Sequence, residues 1–455
     1  MQILRRSASQ WCKCWVLTLF LAIAPAALAS TTWYVDGVNG NDNNDCLSSK
    51  AACQTIGHAI SLTSRFDSIM VAPAIYTENL IIDHALGIIG SGAPTTIVDG
   101  NQAGSVITIS AAPKAQIHVR LSGLTIRNGR AYQYGGGVYA DVGDYGSVTI
   151  NNSIVSGNVA DGTQPDGVSA GGGIFINHGT VTINNSTISD NLATSYHPPS
   201  GGGINGQGSI NKSTISNNNL IWFENYCCSS GGGINGTFSI NDSTISGNQS
   251  WDYGAGINGQ GSINNSTIIG NIGDDWGWGS AVNGTFSINN STISRNFGQS
   301  SCGVLNGTFS ITNSTISGNG EYYPGAICGA TLQNSIVANS FNYYGPIDNC
   351  YGTTSLGYNL SSDDTCNFNG PGDLNNTDPK LGGLGYNGGP TQTFPLLSGS
   401  PAIDGGNPNG CTDSNGNLLT TDQRGWPRPG KYDTGPCDMG AYELQTEIGP
   451  APVAH

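Results

Sequence analysis

Gly201-Gly-Gly-Ile-Asn-Gly-Gln-Gly-Ser-Ile210-Asn-Lys-Ser-Thr-Ile215-Ser216 is one copy of a phrase that this chain repeats with small changes. It returns as Gly231-Gly-Gly-Ile234 … Ser239-Ile240-Asn-Asp-Ser243-Thr-Ile245-Ser246, and again around Ile257, Ile263 and Ile268. The marking serine of each copy stands at 153, 186, 213, 243, 266, 291, 314 and 335, so the spacings are 33, 27, 30, 23, 25, 23 and 21. A period in this range belongs to stacked repeat architectures. Each copy has three apolar anchors set among Asn, Ser, Thr and Gly. Short β-branched runs bounded by turn residues read as strands.

Ile210 and Ile215 are five apart, so strict alternation would send them to opposite faces. A bend at Asn211-Lys212 lets both point inward, and the glycine run opening each copy supplies a second bend. Three inward anchors, three short strands per copy and a period tending to roughly 22 residues predict one coil of a parallel β-helix. Stacking then gives three isoleucine columns, through Ile174, Ile204, Ile234 and Ile257, through Ile210, Ile240, Ile263, Ile288 and Ile311, and through Ile188, Ile215, Ile245, Ile268, Ile293 and Ile316. Crossover chirality predicts right-handed coiling. The fold class expected is therefore all-β, a right-handed parallel β-helix solenoid with an N-terminal cap and an irregular C-terminal segment.

Asn158, Asn191, Asn218, Asn248, Asn271, Asn296 and Asn319 each follow their serine by five residues. Asn tolerates left-handed turns and bonds its own backbone, so a stacked amide ladder is expected. The Asn-X-Ser/Thr triplets this creates, such as Asn241-Asp-Ser243, are by-products of the repeat rather than glycan sites.

Arg5, Arg6 and Lys13, the apolar run Trp15–Ala24 and Ala27-Leu-Ala29 read as a secretory signal over residues 1–29. Its removal leaves 12 basic against 30 acidic residues, a net charge of −18. Such a surface repels nucleic acid and anionic membranes, and no later run is apolar enough to span a bilayer as a helix. Ten cysteines then remain. An even count in an exported chain points to disulfides, and proximity pairs Cys46 with Cys53, Cys350 with Cys366 and Cys411 with Cys437. The adjacent Cys227 and Cys228 pair elsewhere or stay reduced.

From the mature N-terminus, Trp33–Val35 reads as a strand, Thr55–Ile60 as a short helix, and 67–71, 75–82 and 86–92 as strands. Together they cap the open end of the solenoid, whose edges would otherwise invite aggregation. The segments Trp33-Tyr-Val-Asp36, Asn41-Asp42, Cys53-Gln-Thr-Ile56, Ala59-Ile60, Val71-Ala-Pro73, Tyr76-Thr-Glu-Asn79 and Gly90 resemble the N-terminal region of secreted bacterial right-handed β-helix proteins of the pectin-lyase-like superfold, over 33–130. The Gly-Gly-Gly-Ile and Ile188-x-x-Asn191 signatures are similar to the Gly-Gly-Ala-Ile and Phe-x-x-Asn pairs of polymorphic outer-membrane autotransporter passengers, but no alternating apolar barrel follows them here. Thr377-Asp-Pro-Lys380, Asn387-Gly-Gly-Pro-Thr-Gln-Thr393, Gly399-Ser-Pro-Ala-Ile-Asp404, Thr421-Asp-Gln-Arg-Gly425 and Cys437-Asp-Met-Gly-Ala-Tyr-Glu443 resemble the C-terminal region of the choice-of-anchor Q family. That resemblance implies a surface or secreted location and transfers no catalytic activity. The divisions expected are signal 1–29, cap and first coils 30–130, repetitive coils 131–345, anchor-like region 346–445 and tail 446–455.

Insertions after the Asn column carry aromatic and acidic residues: Trp222, Tyr226, Trp251, Tyr253, Asp274, Asp275, Trp276 and Trp278. Insertions on one face of a solenoid make binding surfaces, and these side chains suit stacking on sugar rings and bonding to hydroxyls. Loops that merely pack on their neighbours are the structural alternative. The leading expectation is an exported, non-catalytic protein binding a polysaccharide or cell-surface ligand through this turn. The alternative is a polysaccharide lyase or glycoside hydrolase. A lyase needs a basic residue such as Arg127 beside a carboxylate site, and a glycosidase needs paired carboxylates. The carboxylate candidates are Asp141 with Asp144, Asp161 with Asp166, and Asp274 with Asp275. Alternating oxygens at Asn41, Asn43 and Asp45, and at Asp413, Asn415 and Asn417, are candidate calcium ligands, though neither run completes an EF-hand loop. His58, His84, His118, His178 and His197 show no metal spacing. The outward Thr column from Thr187 to Thr315 is a candidate flat array for ice or a crystalline polymer.

Overall fold

A computed structural model describes residues 30–445 apart from 165–166, 224–227, 275–278, 300–301, 322–324, 343–344, 347 and 431–434. The signal segment and the tail 446–455 thus lie outside the described residues, as do Asp166, Tyr226, Cys227, Asp275, Trp276 and Trp278. The chain winds as a right-handed parallel β-helix with three long sheets of 19, 12 and 10 strands, here sheets I, II and III. The 7-residue helix Ile56–Leu62 covers the N-terminal opening through Ile56, Ala59 and Ile60. Thr55 caps it, and the Glu78 carboxylate accepts from the N–H groups of Ile56 and Gly57 at 2.9 and 2.7 Å. The stretch expected as one strand over 75–82 is two, Ala74–Thr77 in sheet II and Leu80–Ile82 in sheet I.

The isoleucine columns form as expected, but they are distributed differently over the sides of the coil. Ile204 and Ile210 lie on one eight-residue strand of sheet I, Ile204–Asn211, rather than on two sides. Six residues apart, they share a face by simple alternation. The strand bends within itself at Gly206, whose φ is +150°, and the same position is Gly236, Gly259, Gly284 and Gly307 in the following coils. A Cβ on Gly236 would stand 1.8 Å from the Gly206 carbonyl oxygen, so both the conformation and the close stacking require glycine. In earlier coils the two halves of sheet I are separate strands, Ile107–Ser110 with His118–Ser122 and Val138–Asp141 with Ser147–Asn151, divided by loops.

Sheet II carries Ile188, Ile215 and Ile245 in register. Sheet III consists of the residues directly after the asparagine column, such as Val159–Gly162 and Asn219–Trp222. Its inward column is Ala160, Ala193 and Leu220, then Ser250, Gly273 and Gly298, small enough to leave no hydrophobic signature.

The asparagine ladder is continuous from Asn158 to Asn319. Each side-chain Nδ2 donates to the Oδ1 of the next coil at 2.9–3.0 Å, and that same Oδ1 accepts the backbone N–H below it. These residues are buried. The left-handed residue of the turn is the one before the ladder position, Asp190 or Asn217, and not the ladder asparagine itself. The marking serines form a second ladder. The Ser186 N–H donates to Ser213 Oγ at 3.1 Å while each hydroxyl donates to the carbonyl two residues before it.

The parallel coils continue to Leu360–Ser361, which pairs with Ile336–Ala338. Beyond it the irregular segment folds back along the outer face of sheet II. Thr267 Oγ1 donates to the Gln392 carbonyl, Thr292 Oγ1 to Gln423 Oε1, and Thr315 Oγ1 accepts from the Ala441 N–H. The lower half of the threonine column is therefore a docking surface within the chain, and Thr267, Thr292 and Thr315 are buried. This removes the continuous flat threonine array expected of sheet II. The three expected disulfides are present, together with Cys302–Cys328, which the sequence spacing did not pair.

Glu321 occupies the inward column of sheet III and is fully buried. Its Oε2 accepts from the Gly303 N–H at 2.6 Å. Burial first, and then the neighbouring Asp348 charge, push its pKa up to about 8. The unfolded chain ionises this carboxyl near pH 4.5 while the folded chain holds the proton, so stability falls as pH rises between those values. Each unit of pH in that window costs about 1.4 kcal/mol. Urea midpoints measured at pH 5 and pH 8 are expected to differ less in Glu321→Gln than in the parent chain, and an unchanged difference would refute the assignment.

Candidate functional site

The loops dividing sheet I in the early coils create a cleft on its outer face. Ala111–Gln116 form one wall, Asp141, Gly143 and Asp144 another, and His178 closes it, enclosing about 540 Å³. Tyr139 and Asp141 are two apart on one strand and therefore both face outward. The next coil places Phe175 against Tyr139, and a register shift after Ala140 sets His178 opposite Asp141.

Two kinds of chemistry lie along this stretch of sheet I, the Asp141 cluster at the cleft and an aromatic stack outside the cleft lining. Phe175 lies 4.7 Å from the Tyr134 ring and 5.9 Å from the Tyr139 ring, both near-parallel, giving a three-ring stack. Beside it Asn177 Nδ2 donates to Asp141 Oδ2 at 3.0 Å, and His178 Nδ1 sits 3.2 Å from Asp141 Oδ1. Burial alone would raise the Asp141 pKa, but the bonds from Asn177 and His178 and the histidine charge outweigh it and hold the carboxyl below its usual value. Asp141 is thus a fixed anion that orients His178. Burial, followed by the Asp141 charge, keeps the Tyr139 hydroxyl protonated to higher pH than usual. Aromatic surface next to directed donors and acceptors is the mixture that receives a sugar ring, which is apolar on its faces and hydroxyl-bearing at its edge.

The cleft unites Asp141 with Asp144, one of the carboxylate pairs named from sequence. In each of the other two pairs one partner, Asp166 or Asp275, lies outside the described residues. Asp161 is bound to Arg130 and to Thr163, and the Asp274 N–H donates to the Ser250 carbonyl while Asp275 lies outside the described residues. Arg127 Nε is paired with Asp99 Oδ2 at 2.8 Å. The carboxyls pushed upward by burial, Glu321, Asp438 and Glu443, lie elsewhere in the fold.

Among the aromatic insertions, Trp222 ends a sheet III strand and its Nε1 donates to the Tyr196 carbonyl at 3.0 Å. The exposed Tyr196 and Phe223 rings are 5.4 Å apart, and Trp251 is exposed one coil further. The Tyr253 backbone bridges to Ser230. Tyr196 and Phe223 come directly after the sheet III strands of their coils, and neither is among the residues that line the cleft. The oxygens named for calcium serve their own loops. Asn41 Oδ1 accepts from the Asn43 N–H at 2.9 Å, Asp45 Oδ1 from Leu47, and Asp413 Oδ1 from Asn415 and Asn417 at 2.9 and 2.8 Å. Asn417 Nδ2 adds a further bond to Asp413.

Sequence reasoning missed His178 and the aromatic stack. Asp141 and His178 are 37 residues apart, and only the coil length together with the register shift brings them opposite each other. The available signal was an unabsorbed histidine one repeat after an acidic residue. Four disulfides suit an oxidising compartment, and among the described residues no helix is long and apolar enough to cross a membrane.

No known family profile and no curated protein matches this chain. Solved structures do. Pectate lyase Pel9A is similar at 14% identity, covering 91% of this chain and 96% of that one, with a TM-score of 0.44. A rhamnogalacturonan lyase is similar at 12% identity over 82% and 96% of the two chains, with a TM-score of 0.28. XylC in complex with xylose is similar at 10% identity over 92% and 99%, with a TM-score of 0.50. At these identities the likeness is one of fold alone.

Proposed function

We propose that this chain is an extracellular carbohydrate-binding β-helix that holds a neutral glycan on the outer face of sheet I, across the cleft and the neighbouring aromatic stack. The observation that carries the reading is the three-ring stack of Tyr134, Phe175 and Tyr139 set beside the Asp141–Asn177–His178 cluster. The excess of acidic residues, net −15 over the full sequence, favours an uncharged polymer over a polyanion. The fold neighbours named as lyases, and the one solved with xylose, agree with a saccharide ligand. A surface or anchor-like role for the C-terminal region is compatible with this reading.

One observation favours a catalytic variant. Asp141 fixes His178 through Nδ1, which is the arrangement of an oriented general base. Asp141 is held below its usual pKa and so stays an anion rather than an acid, and binding without cleavage is the primary reading. Incubating the protein with neutral and acidic polysaccharides, with and without calcium, and following polymer length by size-exclusion chromatography separates the two. Co-elution with a neutral polymer of unchanged length is expected, and Phe175→Ala is expected to weaken it by about ten-fold. Shortening that is lost in His178→Ala would replace binding with catalysis. Neither co-elution nor shortening with any polymer would overturn both.

A further inference from the structure

From the cleft, sheet I continues over five strands, Ile204–Asn211, Ile234–Asn241, Ile257–Asn264, Val282–Asn289 and Leu305–Thr312. They pair residue for residue over all eight positions with no register shift. Their outward side chains therefore form straight columns. The column from Asn205 to Asn306 is all asparagine, that from Gln207 to Thr308 reads Gln, Thr, Gln, Thr, Thr, and that from Ser209 to Ser310 is all serine. No residue of these five strands is charged, in a chain of net charge −15.

The columns are held in place. Asn258 Nδ2 donates to Asn235 Oδ1 at 2.7 Å, Asn283 to Asn258 at 2.6 Å, and Asn306 to Asn283 at 2.7 Å. Ser262 Oγ donates to Ser239 Oγ at 3.1 Å, and Gln260 Nε2 to Thr237 Oγ1 at 3.3 Å. The buried ladder from Asn158 to Asn319 satisfies backbone groups that water cannot reach, whereas this outer ladder faces solvent and satisfies none. What it achieves is side-chain order, which lowers the entropy lost on binding. The array repeats at about 4.8 Å along the helix axis and about 6.7 Å across it. It also continues the aromatic stack, because Tyr139, Phe175 and Asn205 are successive partners in one row.

We infer that this face docks onto the flat, uncharged surface of an insoluble polysaccharide, several parallel chains at once, while the Tyr139–Phe175 stack contacts one chain beside it. The inference rests on the glycan reading of the cleft and specifies the physical form of its ligand. A single soluble chain follows one column, whereas a surface that repeats in two directions meets all of them. The neutrality of the array matches a neutral polymer, since a charged lattice would meet no counter-charge here.

Depletion of the protein from solution by washed cellulose and chitin powders tests this. It is run beside titration with soluble oligosaccharides of the same polymers. Thr237→Lys/Thr285→Lys places two charges on exposed positions that no ladder bond of the asparagine column uses. The parent is expected to be depleted by at least one powder, and the double variant about ten-fold less, with oligosaccharide binding unchanged. Equal depletion of parent and variant would overturn the inference. A parent that binds oligosaccharide but neither powder would sink the inference and spare the cleft. A parent that binds neither removes both. Ice recrystallisation inhibition that disappears in the lysine variant, without powder binding, would assign the face to ice instead.

Discussion

Asn248→Leu is expected to cost on the order of 4 kcal/mol. The Asn248 side chain accepts from both the N–H and the Nδ2 of Asn218, each at 3.0 Å, and donates to the Ile215 carbonyl and to Asn271 Oδ1 at 3.0 and 2.9 Å. All these partners are buried. Leucine matches the volume but leaves the Asn218 amide and the Asn271 oxygen without water or protein to bond, and each orphaned group costs about 1–3 kcal/mol. Asn258→Ala is the control. It breaks two bonds of the same chemistry on the outer face, where water replaces them, so a change within about 0.5 kcal/mol is expected. Solenoid stability is a sum of nearest-neighbour terms, so the damage is expected to stay local. Hydrogen exchange should rise in the coils around Ile215, Ile245 and Ile268 before it rises near the cap. Equal costs for the two substitutions would mean that the inner ladder is ornamental to stability.

This contrast also marks how far the sequence could be read. The period, the parallel coil and the buried asparagines were legible because identical residues must stack on themselves in a solenoid, and three disulfides because their cysteines are near in sequence. Each column writes itself into the sequence at the repeat spacing. The third sheet was not legible, since its inward column of Ala160, Ala193, Leu220, Ser250, Gly273 and Gly298 changes size from coil to coil and has no common hydrophobic signal. The split of sheet I was hidden for a related reason. The three anchors of a copy read as three sides, whereas Ile204 and Ile210 share one strand that the positive-φ glycines at 206, 236, 259, 284 and 307 only kink. The Asp141–His178 pair depends on a register shift, which spacing alone does not report. The threonine column was read correctly as outward, but its partner lies 125 or more residues away in an irregular segment, beyond the reach of any periodicity.

That segment gives the second large expected effect. Arg424→Met is expected to destabilise the C-terminal fold by about 3–5 kcal/mol, the usual cost of removing one partner from a buried ion pair. The Arg424 guanidinium bonds to Asp422 Oδ2 at 2.6 Å and to the Asn387 and Glu443 carbonyls, and it lies 3.6 Å from the centre of the Tyr442 ring. Close by, Arg428 Nε is 3.2 Å from Glu443 Oε2, with both side chains fully buried. Two guanidinium groups thus face Asp422, Asp438 and Glu443. Burial, only partly countered by Arg428, raises the pKa of Asp438 and Glu443, so one proton balances the cluster near neutrality. Carboxyls raised in the folded state lose their contribution as pH rises through those values, so docking should weaken on the alkaline side, and more steeply once Arg424 is gone. Limited proteolysis reads the effect. Cleavage within 374–445 should appear in the variant at pH 8 before pH 6, while the coils up to Ser361 stay protected. The neighbouring Gln423 explains why the solenoid must respond as well. Its Nε2 donates to Thr267 and Thr391, and its Oε1 accepts from Thr292, so the residue beside the buried arginine clamps two coils of sheet II. The Thr421–Gly425 motif is on this account an internal fastener. If the variant were cut no faster than the parent, the buried charges would have to be serving something other than the docking of this segment.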